Sequence, residues 1–415
     1  MFIVHALLEG EAVVSRLPLL LVQTDSDVVC AGIAMAAGTR NELPHESGMA
    51  HLVEHMTFKG TNHLSSRQIL NRMEGVGGDL NAYTTKEETI YYSIFLREDL
   101  RRALPLLTDI VFHSTYPQAE LEKEREVVID EIESYHDSPA EQIYDDFEAL
   151  LFPDHPLGRN ILGDAERLRT FCSSDLHAFV NRCYAPDHAL LFVMGKVTER
   201  DVLRCLKMKR TDPSSLIPHS PSPISHPSSL TPHPSTFTLQ KDTHQAHVMV
   251  GARAYAMTDA RFMGLQLLSN LLGGPAMNSR LSLALRERTG LVYTVESAVT
   301  GYTDTGVWSV YFGCDHDDVQ RCLRLVRREL QRLIERPLTQ RTLDAARRQM
   351  KGQIGVSYNN SENVALAMAK RYLHTGHTMT REEIYAELDA LTPLHLHAIA
   401  REIFDTDHLT TLIYQ

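Results

Sequence analysis

Asp175-Leu-His-Ala-Phe-Val-Asn-Arg-Cys-Tyr-Ala-Pro-Asp-His188 closes a segment that begins at Leu168, and His395-Leu-His-Ala-Ile-Ala-Arg-Glu-Ile-Phe-Asp-Thr-Asp-His408 closes one that begins at Leu388. At one constant offset Leu168/Leu388, Leu176/Leu396, His177/His397, Ala178/Ala398, Asp187/Asp407 and His188/His408 are identical. Each segment then runs into an apolar stretch, Ala189–Met194 and Leu409–Tyr414, that reads as a strand. A helix followed by a strand, repeated at the close of each half, predicts a duplicated domain.

Between the copies, Asp212 to Thr236 carries Pro213, Pro218, Pro221, Pro223, Pro227, Pro232 and Pro234 among serines. Such a stretch supports neither a helix nor a sheet ladder and is expected to run as a linker. It also holds His219, His226 and His233, for which a metal-binding tract is the alternative reading. The expected organisation is thus a domain at 1–210, a Pro/Ser linker at 211–236, and a homologous domain at 237–415.

Within each half, residues 28–36, 89–96, 189–194, 247–251, 292–300 and 307–312 read as strands, being rich in Val, Ile and Tyr. Residues 47–58, 119–135, 260–272, 319–335 and 343–354 read as helices by length and periodicity. Strands 292–300 and 307–312 are adjacent, with a turn between them at 301–306. Adjacent strands favour an antiparallel α+β arrangement over a doubly wound one.

The 415 residues carry 41 Lys+Arg against 53 Asp+Glu, a net charge of -12, which argues against nucleic acid or an anionic membrane as partner. Six Cys without a Cys-x-x-Cys pair read as reduced thiols rather than a disulfide framework. The first ten residues lack the basic start of a signal peptide, and no apolar run is long enough to span a membrane. A cytoplasmic location is the expectation. The unusual figure is 21 His beside a single Trp.

Two of those histidines stand in Gly48-Met49-Ala50-His51-Leu52-Val53-Glu54-His55-Met56-Thr57-Phe58. On a helix His51 and His55 lie one turn apart on one face, spaced to chelate a metal. Glu54, three residues after His51, projects towards the same face, where it can take a proton from an attacking water. This is the inverted order of the usual zinc-peptidase motif, the inverzincin pattern. Such groups amid an apolar Met49/Leu52/Val53/Met56 surface would be costly without a purpose. A peptidase zinc needs a third protein ligand. The acidic helix at 120–133 offers candidates, with Glu124 and Glu131 two turns apart on one face, and spacing alone does not choose among its glutamates.

The surrounding residues resemble the pitrilysin, insulin-degrading enzyme and mitochondrial processing peptidase family of zinc peptidases. Gly38-Thr39-Arg40-Asn41-Glu42 precedes the motif and Phe58-Lys59-Gly60-Thr61 follows it, with Asn81-Ala82-Tyr83-Thr84, Glu87, Thr89, Tyr91 and Tyr92 beyond. Glu124-Arg125-Glu126-Val127-Val128-Ile129-Asp130-Glu131 fills the place of the family's third-ligand segment. The likeness covers the chain apart from the linker. It implies one Zn2+ per chain on His51, His55 and Glu131, with Glu54 catalytic and Glu124 holding a ligand histidine. In the second half Gly273-Gly274, Asn278-Ser279-Arg280-Leu281, Arg286 and Tyr293 match the element that reaches the substrate. Arg286 and Tyr293 would hold the peptide carbonyl and stabilise its developing charge. No His-x-x-Glu-His follows the linker, so the second domain is expected to be metal-free and to close over the first as a clamshell.

Asn81, Ala82, Tyr83 and Thr84 resemble the family's edge strand, along which an extended peptide would gain main-chain hydrogen bonds. Ordinary strand packing is the alternative for Tyr91 and Tyr92. The function implied is a zinc-dependent endopeptidase acting on peptides or unfolded segments inside a chamber. The competing reading is a non-catalytic peptide-binding or scaffold subunit of the same family. Half-length members pair around a chamber, so a homodimer or a heterodimer with a related chain is expected. The remaining histidines, His63 and His113 among them, are read as structural or surface groups.

Overall fold

The structure, a computed structural model, describes residues 2–9, 16–211 and 235–415. The expected linker and its His219, His226 and His233 therefore lie almost wholly outside the described residues. In chain order the elements begin with β1 (Phe2–Glu9), β2 (Arg16–Gln23), β3 (Val28–Met35), α1 (Met49–Thr57), α2 (Ser66–Glu74), β4 (Asp79–Thr84), β5 (Thr89–Leu96) and α3 (Leu100–Phe112). There follow α4 (Gln118–His136), α5 (Pro139–Leu151), α6 (Ala165–Leu168), α7 (Ser173–Cys183), β6 (Ala189–Gly195), α8 (Glu199–Leu206), β7 (Lys209–Thr211), β8 (Ser235–Leu239) and β9 (Ala246–Ala254). The chain ends with α9 (Phe262–Gly273), β10 (Val292–Gly301), β11 (Gly306–Cys314), α10 (Val319–Glu335), α11 (Gln340–Ser357), α12 (Ser361–Thr375), α13 (Arg381–Ala390), α14 (Pro393–Ile403) and β12 (Thr410–Tyr414).

The fold is α+β. Every strand and helix expected from the sequence is present, with ends shifted by a few residues at most. Among the described residues the strands form a seven-stranded sheet, β4-β5-β3-β6-β2-β1-β7, and a five-stranded sheet, β10-β11-β9-β12-β8. Both are mostly antiparallel, and each contains one parallel pair, β2 with β6 and β8 with β12. The duplication is therefore visible in the topology: five consecutive positions of one sheet follow the same order as the whole of the other. It is visible in the helices too. Residues Ser173 and Cys183 bound α7, and Pro393 and Ile403 bound α14, an offset of 220 at both ends.

Two compact units emerge, Met1–Ser134, Arg159–Ile224 and Ser357–Thr378 in the first, and Tyr135–Gly158, Ser225–Val356 and Met379–Gln415 in the second. Chain order and compactness thus divide the molecule differently, because each unit takes one helix from beyond the linker. In the first unit β3 is buried along nearly its whole length, the mark of a strand covered on both faces. Val29, Ala31, Ile33 and Met35 face the core made with α1, α3, α4 and α7. Cys30 and Ala34 face the other way, onto Val364, Ala365, Met368 and Ala369 of α12. Gly32 stays side-chain-free because a Cβ there would stand 2.5 Å from the Phe192 ring. The second unit repeats the scheme: α9, α10 and α14 cover one face of its sheet. Ile143, Phe147 and Leu151 of α5 cover the other, against Met249, Tyr311, Leu412 and Tyr414.

Candidate metal centre

Helix α1 is built to hold polar groups rigidly. Met49, Leu52, Val53 and Met56 form one apolar stripe, fully buried, that anchors it in the core. Its N-terminus follows Gly48, whose φ of 87° is left-handed and whose Cβ, if present, would meet the Leu162 carbonyl at 2.8 Å. The buried Glu42 carboxylate accepts from Gly48 N at 3.3 Å and Ala50 N at 2.9 Å, satisfying two of the open N–H groups there. His51, Glu54 and His55 occupy the opposite stripe, with the two imidazole centroids 4.6 Å apart.

Helix α4 brings two of its glutamates to this stripe. Glu131 Oε2 lies 3.8 Å from His51 Nε2 and 3.5 Å from His55 Nε2. Glu124 Oε1 lies 3.1 Å from His55 Nδ1, and its other oxygen takes Lys59. Glu131 is itself exposed, as are Glu122, Glu126 and Glu133, so what sets it apart is its position beside both imidazoles rather than burial. With Nδ1 of His55 engaged by Glu124, Nε2 is left to face Glu131. His51 Nδ1 is buried without a hydrogen-bond partner.

Burial, helped by the neighbouring His55, pushes the His51 imidazole down to about 3, so it is neutral and its lone pair is available. Burial also pulls His55 down, but the Glu124 hydrogen bond and the charges of Glu54, Glu131 and Glu124 outweigh it, and its net shift is upward. Burial would raise Glu124, yet His55 and Lys59 hold it below the ordinary carboxylate range. The Glu54 carboxyl is raised, chiefly by burial and further by Glu131, against the opposing pull of Thr84 and His55.

These residues fit a zinc ion. The Glu131 oxygen stands 3.8 and 3.5 Å from the two imidazole Nε2 atoms, near the roughly 3.3–3.5 Å between ligands of a tetrahedral zinc. One ligand atom from each of the three residues lies within 4.8 Å of the others. The Glu124–His55 contact is the carboxylate–histidine arrangement that fixes the tautomer of a ligand.

Of the residues expected to bind substrate, Asn81, Ala82, Tyr83 and Thr84 form β4, which is the edge of its sheet. Thr84 has a role that the sequence reading did not anticipate, because its hydroxyl donates to Glu54 Oε2 at 2.6 Å. Tyr91 is fully buried, its hydroxyl sharing contacts with Thr57 and Tyr184, and Tyr92 donates to Glu362 at 2.8 Å. Both are packing residues.

Arg286 and Tyr293 belong to the second unit, and each sits in a local irregularity. Arg286 lies in a π-helical turn, Ser282–Glu287, half-exposed and paired with Glu287 at 2.9 Å. The β10–β11 register slips between Val292 and Val295, and there Tyr293 projects 86% exposed. π-turns and β-bulges both recur beside functional sites, where they re-aim side chains. Among the described residues the clusters spaced to hold a metal are all in the first unit.

Known proteins resemble this chain along nearly its full length. A family model described as insulinase, peptidase family M16, matches residues 19–165, and one described as the peptidase M16 inactive domain matches residues 172–350. An uncharacterized zinc protease of Bacillus subtilis is 32% identical over 388 residues, covering 93% of this chain and 92% of its own. One of Streptomyces coelicolor is 30% identical over 375 residues, covering 90% and 82%. A crystal structure of a protease from Helicobacter pylori superposes with a TM-score of 0.88 at 23% identity over 100% of both chains.

Proposed function

The chain belongs to peptidase family M16, the insulinase family, and on that footing we propose that it is a zinc-dependent endopeptidase of peptides or unfolded polypeptide segments. The observation that carries the reading is the convergence of His51 Nε2, His55 Nε2 and Glu131 Oε2 beside the buried carboxyl of Glu54. Zinc, when bound by these three residues, supplies Lewis-acid activation of water and of the scissile carbonyl. Glu54 is held through Oε2 by Thr84, which leaves Oε1 to take the proton of the attacking water and return it to the departing amine nitrogen. Glu124 keeps His55 in the tautomer that presents Nε2. The edge strand β4 would receive the substrate backbone as an added strand, which suits unfolded chains. Arg286 and Tyr293 are proposed to hold the carbonyl oxygen as charge develops on it.

The alternative, a non-catalytic peptide-binding or scaffold subunit, draws support from the description of the model that matches residues 172–350 as an inactive domain. Elemental analysis and a peptidase assay separate the two. One zinc per chain is expected, with hydrolysis of an unfolded protein substrate lost on treatment with 1,10-phenanthroline and recovered on adding zinc. Substoichiometric zinc together with no hydrolysis would favour the binding role.

We also propose that the chain pairs, as a homodimer or with a related chain, around an enclosed chamber. Sedimentation at micromolar protein should give the mass of two chains, and a monomer would refute pairing with itself. Among the described residues no helix is long and apolar enough to cross a membrane.

A further inference from the structure

A second group of metal-ligand type lies on the same unit and shares no residue with the first. His63 stands in the connection between α1 and α2, while Asp109 and His113 lie one turn apart at the C-terminal end of α3. His63 Nδ1 is 2.6 Å from Asp109 Oδ1, and His113 Nδ1 is 3.4 Å from the same oxygen. The other oxygen, Oδ2, accepts from Thr61 Oγ1 at 2.6 Å. The Thr61 hydroxyl in turn accepts from His63 N at 3.0 Å and Leu64 N at 2.9 Å. The loop is thereby wound so that the His63 ring faces the carboxylate, and the carboxylate is turned so that Oδ1 faces both imidazoles.

As a hydrogen-bonded group this arrangement is incomplete. The Asp109 oxygen hydrogen-bonds only the His63 imidazole, and His113 Nδ1, 3.4 Å away and inaccessible to solvent, makes no hydrogen bond. As a ligand set it is nearly complete. Two imidazole nitrogens and one carboxylate oxygen lie within 4.8 Å of one another. Ligands around a tetrahedral zinc stand roughly 3.3–3.5 Å apart, and His113 and Asp109 already stand at that separation. His63 must withdraw by less than an ångström. It is free to do so, because its side chain is 66% exposed and on a loop. Thr61 on Oδ2 plays the part of the outer partner that orients a ligating carboxylate.

We propose that His63, Asp109 and His113 form a second divalent-cation site, with the imidazole and carboxylate donors that suit zinc, cobalt or nickel rather than calcium or magnesium. The fourth position opens to solvent beside His63. A cation there fastens the segment that follows α1 to the end of α3. Lys59, four residues before His63, grips Glu124 and through it His55.

The test is equilibrium dialysis of the full chain, stripped of metal and then titrated with Co2+, read by elemental analysis and visible absorption. The wild-type chain is expected to take up two ions. H63A, at an exposed position where folding is not at stake, should take up one, and H113A likewise. E131Q should lose the other ion while keeping the His63 one, and E131Q/H63A should bind none. A wild-type chain that saturates at one ion, or an H63A chain that still takes two, overturns the second site. Loss of neither ion in E131Q would instead count against the first.

Discussion

Glu54→Gln is expected to lower the rate of peptide hydrolysis by about 10²–10⁴-fold, the usual contribution of a general base, while zinc content stays that of the wild type. The substitution is nearly isosteric, and a glutamine still offers an oxygen to the Thr84 hydroxyl that now donates to Oε2 at 2.6 Å. The contacts that bring Glu131 to His51 and His55, and Glu124 to His55, are made without Glu54. What disappears is the proton acceptor. Burial, with Glu131 adding to it, raises the Glu54 carboxyl, so the basic form is lost as pH falls through that raised value. The acid limb of kcat/KM in the wild-type protein should therefore be absent from whatever residual activity Glu54→Gln retains. A glutamine variant that hydrolyses peptides at the wild-type rate would remove Glu54 from the chemistry. Zinc lost from the variant would show that the carboxylate is needed for binding instead.

Glu88→Gln is expected to cost about 3–5 kcal/mol of stability, the scale of breaking a buried ion pair by removing one partner. Glu88 is 0% exposed, and it meets Lys370 Nζ at 2.7 Å and His374 Nε2 at 2.8 Å, both on α12. Lys370 can return to water when the charge is removed, which favours the lower end of that range, whereas His374 is buried and cannot. Burial opposes ionisation of Glu88, but the His374 hydrogen bond and the Lys370 charge outweigh it and hold the carboxyl down at about 2. A depressed carboxyl stabilises the fold at any pH above its unfolded value, about 4.3, and that contribution is lost as pH falls from there towards 2. Urea unfolding at pH 7 should show the full difference between wild type and variant, narrowing as the pH is taken below 4. A variant as stable as the wild type at pH 7 would contradict the role. The position bears on the site as well. Glu88 closes the turn between β4 and β5, its carbonyl accepting from Thr85 N at 2.8 Å, one residue after the Thr84 that holds Glu54.

Local patterns were legible in the chain wherever the physics is local. The spacing of His51, Glu54 and His55 declares one helical face, since positions three and four apart meet on any helix. The Ile and Tyr content of 89–96 marks a strand whose ends the structure reproduces without change. Helix α3 escapes such a reading because Pro105 lies inside it, and a proline at that point signals a break. The structure keeps the helix by burying Leu100, Ala103, Leu104, Leu106, Leu107, Ile110 and Val111 in the core.

What the chain determined by itself was the duplication and the inverted motif, because repeated helix–strand segments and a single helical stripe are written in neighbouring residues. Spacing leaves open which glutamate of α4 joins the two histidines, and the family resemblance alone points to Glu131. That Thr84 holds Glu54 and that His63 meets Asp109 and His113 were decided only by the tertiary structure. Each of those contacts joins residues tens of positions apart, and their spacing in the sequence carries no information about distance in space. The exchange of α5 and α12 belongs with them. The apolar run of β3 announces that both faces of its sheet are covered, but not that the cover on one face comes from residues 361–375. Only packing selects that helix, since any amphipathic helix with an apolar stripe of the right width satisfies the same strand.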